Sequence, residues 1–213
     1  MFYRENGQFK TSYRADQQIF PIAQDRVAIF AVLVLAFVVV PMLATDYVFQ
    51  AMLIPFVIMA LGALGLNILV GYCGQISLGT GAFMAVGAYA AFNLQARFDG
   101  MPLLLALLGG GLIAMVFGMV FGLPSLRIRG LYLAVATLAA QFFMDWLTSR
   151  AAWVTNHSSS GSVSAGQLSI AGWQIDTPME KYLLCLAILC LIALAAKNLV
   201  RSAIGREWMA IRD

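Results

Sequence analysis

Six apolar runs, at about 27–43, 48–70, 76–95, 102–123, 131–147 and 179–196, constrain this chain more than any other feature. A helix rising about 1.5 Å per residue needs about 20 apolar residues to cross the hydrocarbon core of a bilayer. Most of the runs reach that length, and the first and fifth, though short, stay within the tolerated range. Only 11% of the 213 residues are charged and 62% are hydrophobic, whereas a soluble domain keeps about a quarter of its residues charged. So little charge cannot cover a water-facing surface, and the solvent for most of the chain must be lipid. In lipid every backbone polar group has to be satisfied internally, which a helix does within one segment. The expected fold is all-α, a polytopic membrane protein of about six transmembrane helices.

The segments between the runs set the expected organisation. Residues 1–26 form a polar N-terminal segment, 27–200 the transmembrane domain, and 201–213 a final polar stretch. The long polar leader lacks a small-x-small cleavage site before a soluble domain, so the first run reads as a span and not as a cleaved signal. Lys and Arg favour the cytoplasmic side. With the N-terminus inside, segments 1–26, 71–75, 124–130 and 197–213 hold Arg4, Lys10, Arg14, Arg26, Arg127, Arg129, Lys197, Arg201, Arg206 and Arg212. The outer segments hold only Arg97, Arg150 and Lys181. Both termini are therefore expected in the cytoplasm. The outer stretch 148–178 is rich in Ser, Gly and Thr and bracketed by Trp153 and Trp173, which suit membrane–water interfaces. It reads either as a plain connection or as a lid or docking surface for an external partner.

Residues 62–93 carry glycine at 62, 65, 71, 74, 79, 81 and 87. A glycine inside a helix costs about 1 kcal/mol relative to alanine, so this density needs a reason. Small residues let membrane helices approach closely, and Gly79, Phe83 and Gly87 recur at four-residue spacing beside Ala82, Val86 and Ala90. Glycines also allow a helix to break where polar backbone lines a cavity. The cluster Gly71-Tyr72-Cys73-Gly74-Gln75-Ile76-Ser77 joins two apolar runs with too few residues for an ordinary hydrophilic loop. Interrupted helices of this kind are the best sequence pointer to a solute path. Asn67, Gln75, Ser77 and Thr80 would supply uncharged hydrogen-bonding groups suited to a neutral or zwitterionic solute. From the residues alone, a tight turn with ordinary helix packing stays an equal alternative.

Other chemistries lack their residues. There is no HExxH, GxSxG or GxxxxGK[ST] string and no carboxylate pair within a run. Cys73, Cys185 and Cys190 form no CxxC, and His157 is the one histidine, so a metal site or disulfide framework is not expected. Basic residues interleaved with aromatics are missing, which argues against a nucleic-acid partner. Asp145 falls near the outer end of the fifth run, where it can reach water. Without a deep acid or histidine, proton coupling is poorly supported, and a catalytic site is not expected.

Three strings carry a family resemblance. LGLNILVGYCGQISLGTGAF at 64–83, LRIRGLYLAVATLA at 126–139 and RSAIGREWMAIRD at 201–213 resemble, in order, blocks of the permease subunits of branched-chain amino-acid ABC transporters. More narrowly, they are similar to the M-type subunits of high-affinity leucine–isoleucine–valine importers. The resemblance implies an importer with two permease subunits, two ATPase subunits and a periplasmic binding protein, set in the bacterial inner membrane. ATP would be bound by the partner subunit, and the permease itself needs no cofactor. It places Gly71, Gly74, Gln75, Ser77 and Gly79 in the interrupted-helix motif, beside Thr80, where many relatives carry histidine. It also places Gly205, Arg206, Ala210 and Ile211 in the loop that couples to the ATPase. The family continues with further spans beyond this loop, so the chain is expected to be truncated at Asp213. Related permeases serve urea and short amides, which is the alternative substrate class; an ATPase-independent channel or carrier is a more distant one.

The coupling segment has its own pattern. Ile204, Trp208 and Ile211 fall at i, i+4 and i+7, an apolar edge on an otherwise charged short helix. Such an edge could seat in a groove of a soluble partner. It could equally lie on anionic lipid, held by Lys197, Arg201 and Arg206.

Overall fold

The computed structural model describes residues 23–98, 100–125, 132–158, 163, 169–170 and 173–212. Arg4, Lys10, Arg14, Arg127 and Arg129, the side chains of Trp173 and Ile211, and Asp213 lie outside the described residues. So do residues 126–131 of the second family block.

The chain is an all-α polytopic membrane protein with seven helices among the described residues. Helix α1 runs from Ala23–Val34 through a wide turn, Leu35–Val39, into Val40–Leu43. Helix α2 begins at Asp46–Val48, widens over Phe49–Leu53, continues as Ile54–Asn67 and widens again over Ile68–Tyr72. Then come α3 (Thr80–Arg97), α4 (Leu103–Ser125), α5 (Tyr132–Arg150), α6 (Pro178–Arg201) and α7 (Ala203–Arg212). Between α5 and α6, strand β1 (Ser169–Ile170) pairs antiparallel with β2 (Trp173–Gln174).

Among the described residues four helices, not six, are long and apolar enough to cross a membrane: Gln24–Leu43, Asp46–Tyr72, Leu103–Leu123 and Pro178–Arg201. The third and fifth runs are helical, but Asn93, Gln95 and Arg97 dilute α3, and Gln141, Asp145 and Thr148 dilute α5. The reason lies in packing. These helices bury Ala82, Val86 and Ala91, and Ala134, Thr137, Ala140 and Met144. A helix that faces other helices is less bound to be apolar than one that faces lipid.

The helices form two groups. In the first, α2 packs on α6 around Phe49, Val57, Tyr182 and Leu186, with the Phe49 and Tyr182 rings 5.4 Å apart. In the second, α3 packs closely on α4, and α5 lies against both. Gly87 and Ala91 face Gly110 and Ala114, and a Cβ on Gly110 would stand 2.9 Å from that of Ala91. This is the small-residue packing by which membrane helices gain van der Waals contact without a hydrophobic driving force. Rings of Phe83, Phe117, Phe121 and Phe143 fill the space between the three helices at 4.7–6.4 Å.

The wide turn of α1 and the first of the two in α2 each precede a proline, Pro41 and Pro55. Proline lacks an N–H and leaves one carbonyl of the preceding turn unpaired. In α1 the ladder has shifted by one residue, so that Val40 N–H reaches Leu35 O. The carbonyl that Pro41 leaves open is then that of Ala36, and the Tyr182 hydroxyl of α6 donates to it at 3.1 Å. Removing that donor strands a carbonyl between two helices. Tyr182→Phe is expected to destabilise the protein by about 1 kcal/mol, read as a lower unfolding midpoint in detergent. An unchanged midpoint would show that the bond contributes nothing.

Helix α6 starts with a reciprocal cap. Glu180 N–H donates to Thr177 Oγ1 at 3.3 Å, and Thr177 N–H donates to Glu180 Oε2 at 3.1 Å, with Pro178 at the first helical position. The string Thr-Pro-Met-Glu is a capping box whose proline presets the first turn.

Candidate functional site

The first link along the chain between the two helix groups is the interruption at 73–79. The last turn of α2 is wide, and Cys73 N–H donates to Ile68 O at 3.2 Å. Gly74 then adopts φ +66°, and Gln75 N–H donates back to Leu69 O at 3.1 Å. This is a glycine-terminated helix end, one residue wider than usual because the final turn is already wide. A side chain at 74 would be strained in that left-handed conformation. Burial pushes the Cys73 thiol up from its ordinary value, so it stays protonated and poorly nucleophilic at neutral pH.

The extended stretch after Gly74 crosses α5 at Thr137. Leu78 N–H donates to Thr137 Oγ1 at 3.0 Å. That hydroxyl lies 2.9 Å from Leu133 O and 3.0 Å from Ala134 O, so its own proton returns to the turn below. Gly79 lies against the Thr137 carbonyl so closely that a Cβ would overlap it. One turn further along α5, Gln141 rests on Gly81, its Oε1 2.9 Å from where a Cβ would stand. Across the break, Gly62 of α2 approaches Met84, whose sulfur would lie 2.7 Å from an added Cβ.

The residues singled out in the sequence therefore separate into two sets. Ser77 and Gly79 are buried, and Gln75 and Thr80 are half-buried, around the crossing on α5. Asn67 and Gly71 lie earlier, on exposed faces of α2, where the Asn67 side chain folds onto its own turn toward Gly71. Gly74 is exposed at the hinge between the sets. Thr137 and Gln141 were missed. Their signal is present in the sequence, since two polar residues at i and i+4 in an apolar run share one helix face.

At the far end of α3, the turn after α5 is clamped. Asn93 Nδ2 donates to Val154 O at 2.8 Å, and an Arg97 N–H donates to Trp153 O at 2.7 Å. The Arg97 guanidinium also lies 3.8 Å over the Trp153 ring, a cation–π contact. The turn itself holds Asn156 and His157 at φ +51° and +61°.

At the opposite end, Ser202 breaks the chain between α6 and α7, and its hydroxyl donates to Leu199 O at 2.6 Å. Gly205 is buried in this elbow, where a Cβ would overlap the Val200 carbonyl. Arg206, Ala210 and Ile204 are exposed, and Trp208 is half-buried. Helix α7 packs on α6 and also on the Ile68–Tyr72 turn that leads into the break. Among the described residues, no group of three His, Cys, Asp or Glu could hold a metal.

A bundle of apolar helices with one broken by glycine over a polar crossing defines a polytopic membrane protein of the permease class. The chain belongs to the family described as the permease component of branched-chain amino acid transport systems, whose model matches residues 48–213. It is similar to the high-affinity branched-chain amino acid transport system permease protein LivM of Escherichia coli (strain K12), with 30% identity over 172 residues. It is also similar to the LivM protein of Salmonella typhimurium, with 29% identity over 172 residues. Each match covers 70% of this chain and 40% of the relative, so the chain spans about two fifths of the length of the curated relatives it matches. No solved structure matches.

Proposed function

We propose that this chain forms part of the solute path of an ABC importer for branched-chain amino acids. In this reading the break at 73–81 lines the path, with Gly71, Gly74, Gln75, Ser77, Gly79 and Thr80 at or beside it and Asn67 one turn away. Helix α7 docks a separate ATPase subunit through Arg206, Trp208, Ala210 and Ile211, with Gly205 setting its angle. The remaining partners are a second permease subunit and a periplasmic binding protein. The location is the bacterial inner membrane, with residues 1–26 and 201–213 on the cytoplasmic side.

The observation that carries the reading is the packing of α7 on the Ile68–Tyr72 turn. A displacement of α7 by a partner acts directly on the turn whose end is Gly74, and so on the segment between the two helix groups. Transporters that alternate access rock one bundle against another around a site at a broken helix, and this chain has its break where the two groups join. The helix directions agree with a shared side for both couplings. Phe49 near the start of α2 meets Tyr182 near the start of α6, so the two run parallel and their ends fall on one side, where α7 lies.

The polar groups at the break are uncharged, which also suits urea or a short amide on the same scaffold. Uptake in cells separates the two. Deleting the gene is expected to abolish uptake of labelled leucine that isoleucine competes and ATP depletion blocks. Retained leucine uptake with lost urea or acetamide uptake would move the substrate and keep the permease. Retained uptake of all three would remove the transport reading.

A further inference from the structure

We infer that Gln141, midway along α5, is a further polar contact of the permeating solute and a determinant of its recognition. The inference rests on the reading of the 73–81 break as the solute path. Its own observations are separate from those that define the break.

Gln141 sits at the centre of a 19-residue helix, as far from both ends as a residue on α5 can be. Its carboxamide lies against the first turn of α3, with Oε1 2.9 Å and Nε2 3.5 Å from the position a Gly81 Cβ would take. Gly81 is exposed and Gln141 half-buried, so the amide is not sealed within the bundle. Gly81 provides the room, because any side chain there would displace the amide. Thr137, on the same face one turn earlier, is fully engaged by the Leu78 N–H and its own helix. The Gln141 side chain has no hydrogen-bond partner among the described residues.

A primary amide in the middle of a membrane helix has to be desolvated, and a leucine would fill the same space without that cost. Its presence with unmade bonds points to something that enters and makes them. A carboxamide offers two donors and an acceptor. It can therefore meet both the ammonium and the carboxylate of an amino acid without holding either too tightly. The start of α3 has no side-chain cap, so its first N–H groups add donors beside the amide. Gln141 then reads the polar end of the solute, not its apolar side chain.

The test uses the complete transporter with its partners in proteoliposomes and labelled leucine as the probe. Gln141→Leu is expected to lower leucine uptake at least ~10-fold, while Gln141→Asn keeps turnover within ~3-fold and raises KM. A second readout does not depend on turnover. With Cys73, Cys185 and Cys190 replaced by alanine, Gln141→Cys is expected to react with a charged, water-soluble thiol reagent, and leucine is expected to slow that reaction. Uptake at the parental rate in Gln141→Leu, or a Gln141→Cys that leucine does not protect, would overturn the assignment. If Gln141→Leu does not assemble, the protection experiment decides alone. Ser77→Val separates this inference from the one beneath it. Lost uptake there with normal uptake in Gln141→Leu keeps the break as the path and removes Gln141. Normal uptake in both removes both.

Discussion

Replacing Gly205 with alanine is expected to abolish transport and to weaken ATPase co-purification, while leaving the protein inserted in the membrane. The added Cβ would overlap the Val200 carbonyl at the elbow between α6 and α7. Those are main-chain atoms, which cannot rotate out of the way as a side chain can. Relief requires α7 to swing away from α6, and the swing also lifts it from the Ile68–Tyr72 turn. Overpacking of this kind costs about 1–3 kcal/mol, enough to depopulate the docked arrangement of a short helix. The membrane helices are untouched, so expression and insertion should stay normal. Normal leucine uptake and normal co-purification in Gly205→Ala would show that the angle of α7 does not matter.

Gly79→Ala is expected to lower uptake at least ~10-fold and to destabilise the protein by about 1–3 kcal/mol. The glycine has φ −105°, a conformation open to any residue, so the demand is steric and not conformational. The Cβ would overlap the Thr137 carbonyl, and the start of α3 would have to move off α5. That movement stretches the 3.0 Å bond from Leu78 N–H to Thr137 Oγ1 and shifts Ser77 out of its buried place. Gly74 makes a useful contrast. Its φ of +66° makes a conformational demand, so asparagine should be tolerated at 74 better than leucine. A parental unfolding midpoint and parental uptake in Gly79→Ala would refute the crossing on α5 as a tight constraint.

Much of this was legible in the residues. Each of the six apolar runs became helical, because a run of apolar residues in lipid has few other ways to satisfy its backbone. The glycine string at 71–79 marked the break, since Gly74 permits the left-handed turn and Gly79 the close crossing. The count of spans was less legible. Hydropathy treats Asn93, Gln95 and Gln141 as defects in a span, whereas α3 and α5 can carry them because they face other helices. Thr137 and Gln141 share a helix face by spacing alone, yet nothing local says that this face meets the break some 60 positions earlier.

The sequence by itself determined that the chain is a bundle of membrane helices, roughly where the apolar helices run, and that one linkage between them is a glycine break. These are local matters, set by the transfer of apolar surface into lipid and by the backbone limits of glycine and proline. Only the tertiary structure decided which helices pair and what lies beside the break. Tyr182 answers the carbonyl left by Pro41 because α6 returns alongside α1, Thr137 meets Leu78 because α5 crosses the break, and α7 touches the end of α2. Between membrane helices there is no hydrophobic gradient to announce the partner face. Partner choice there rests on close packing and single hydrogen bonds, which depend on the shapes of two surfaces brought together and are not written in either one alone.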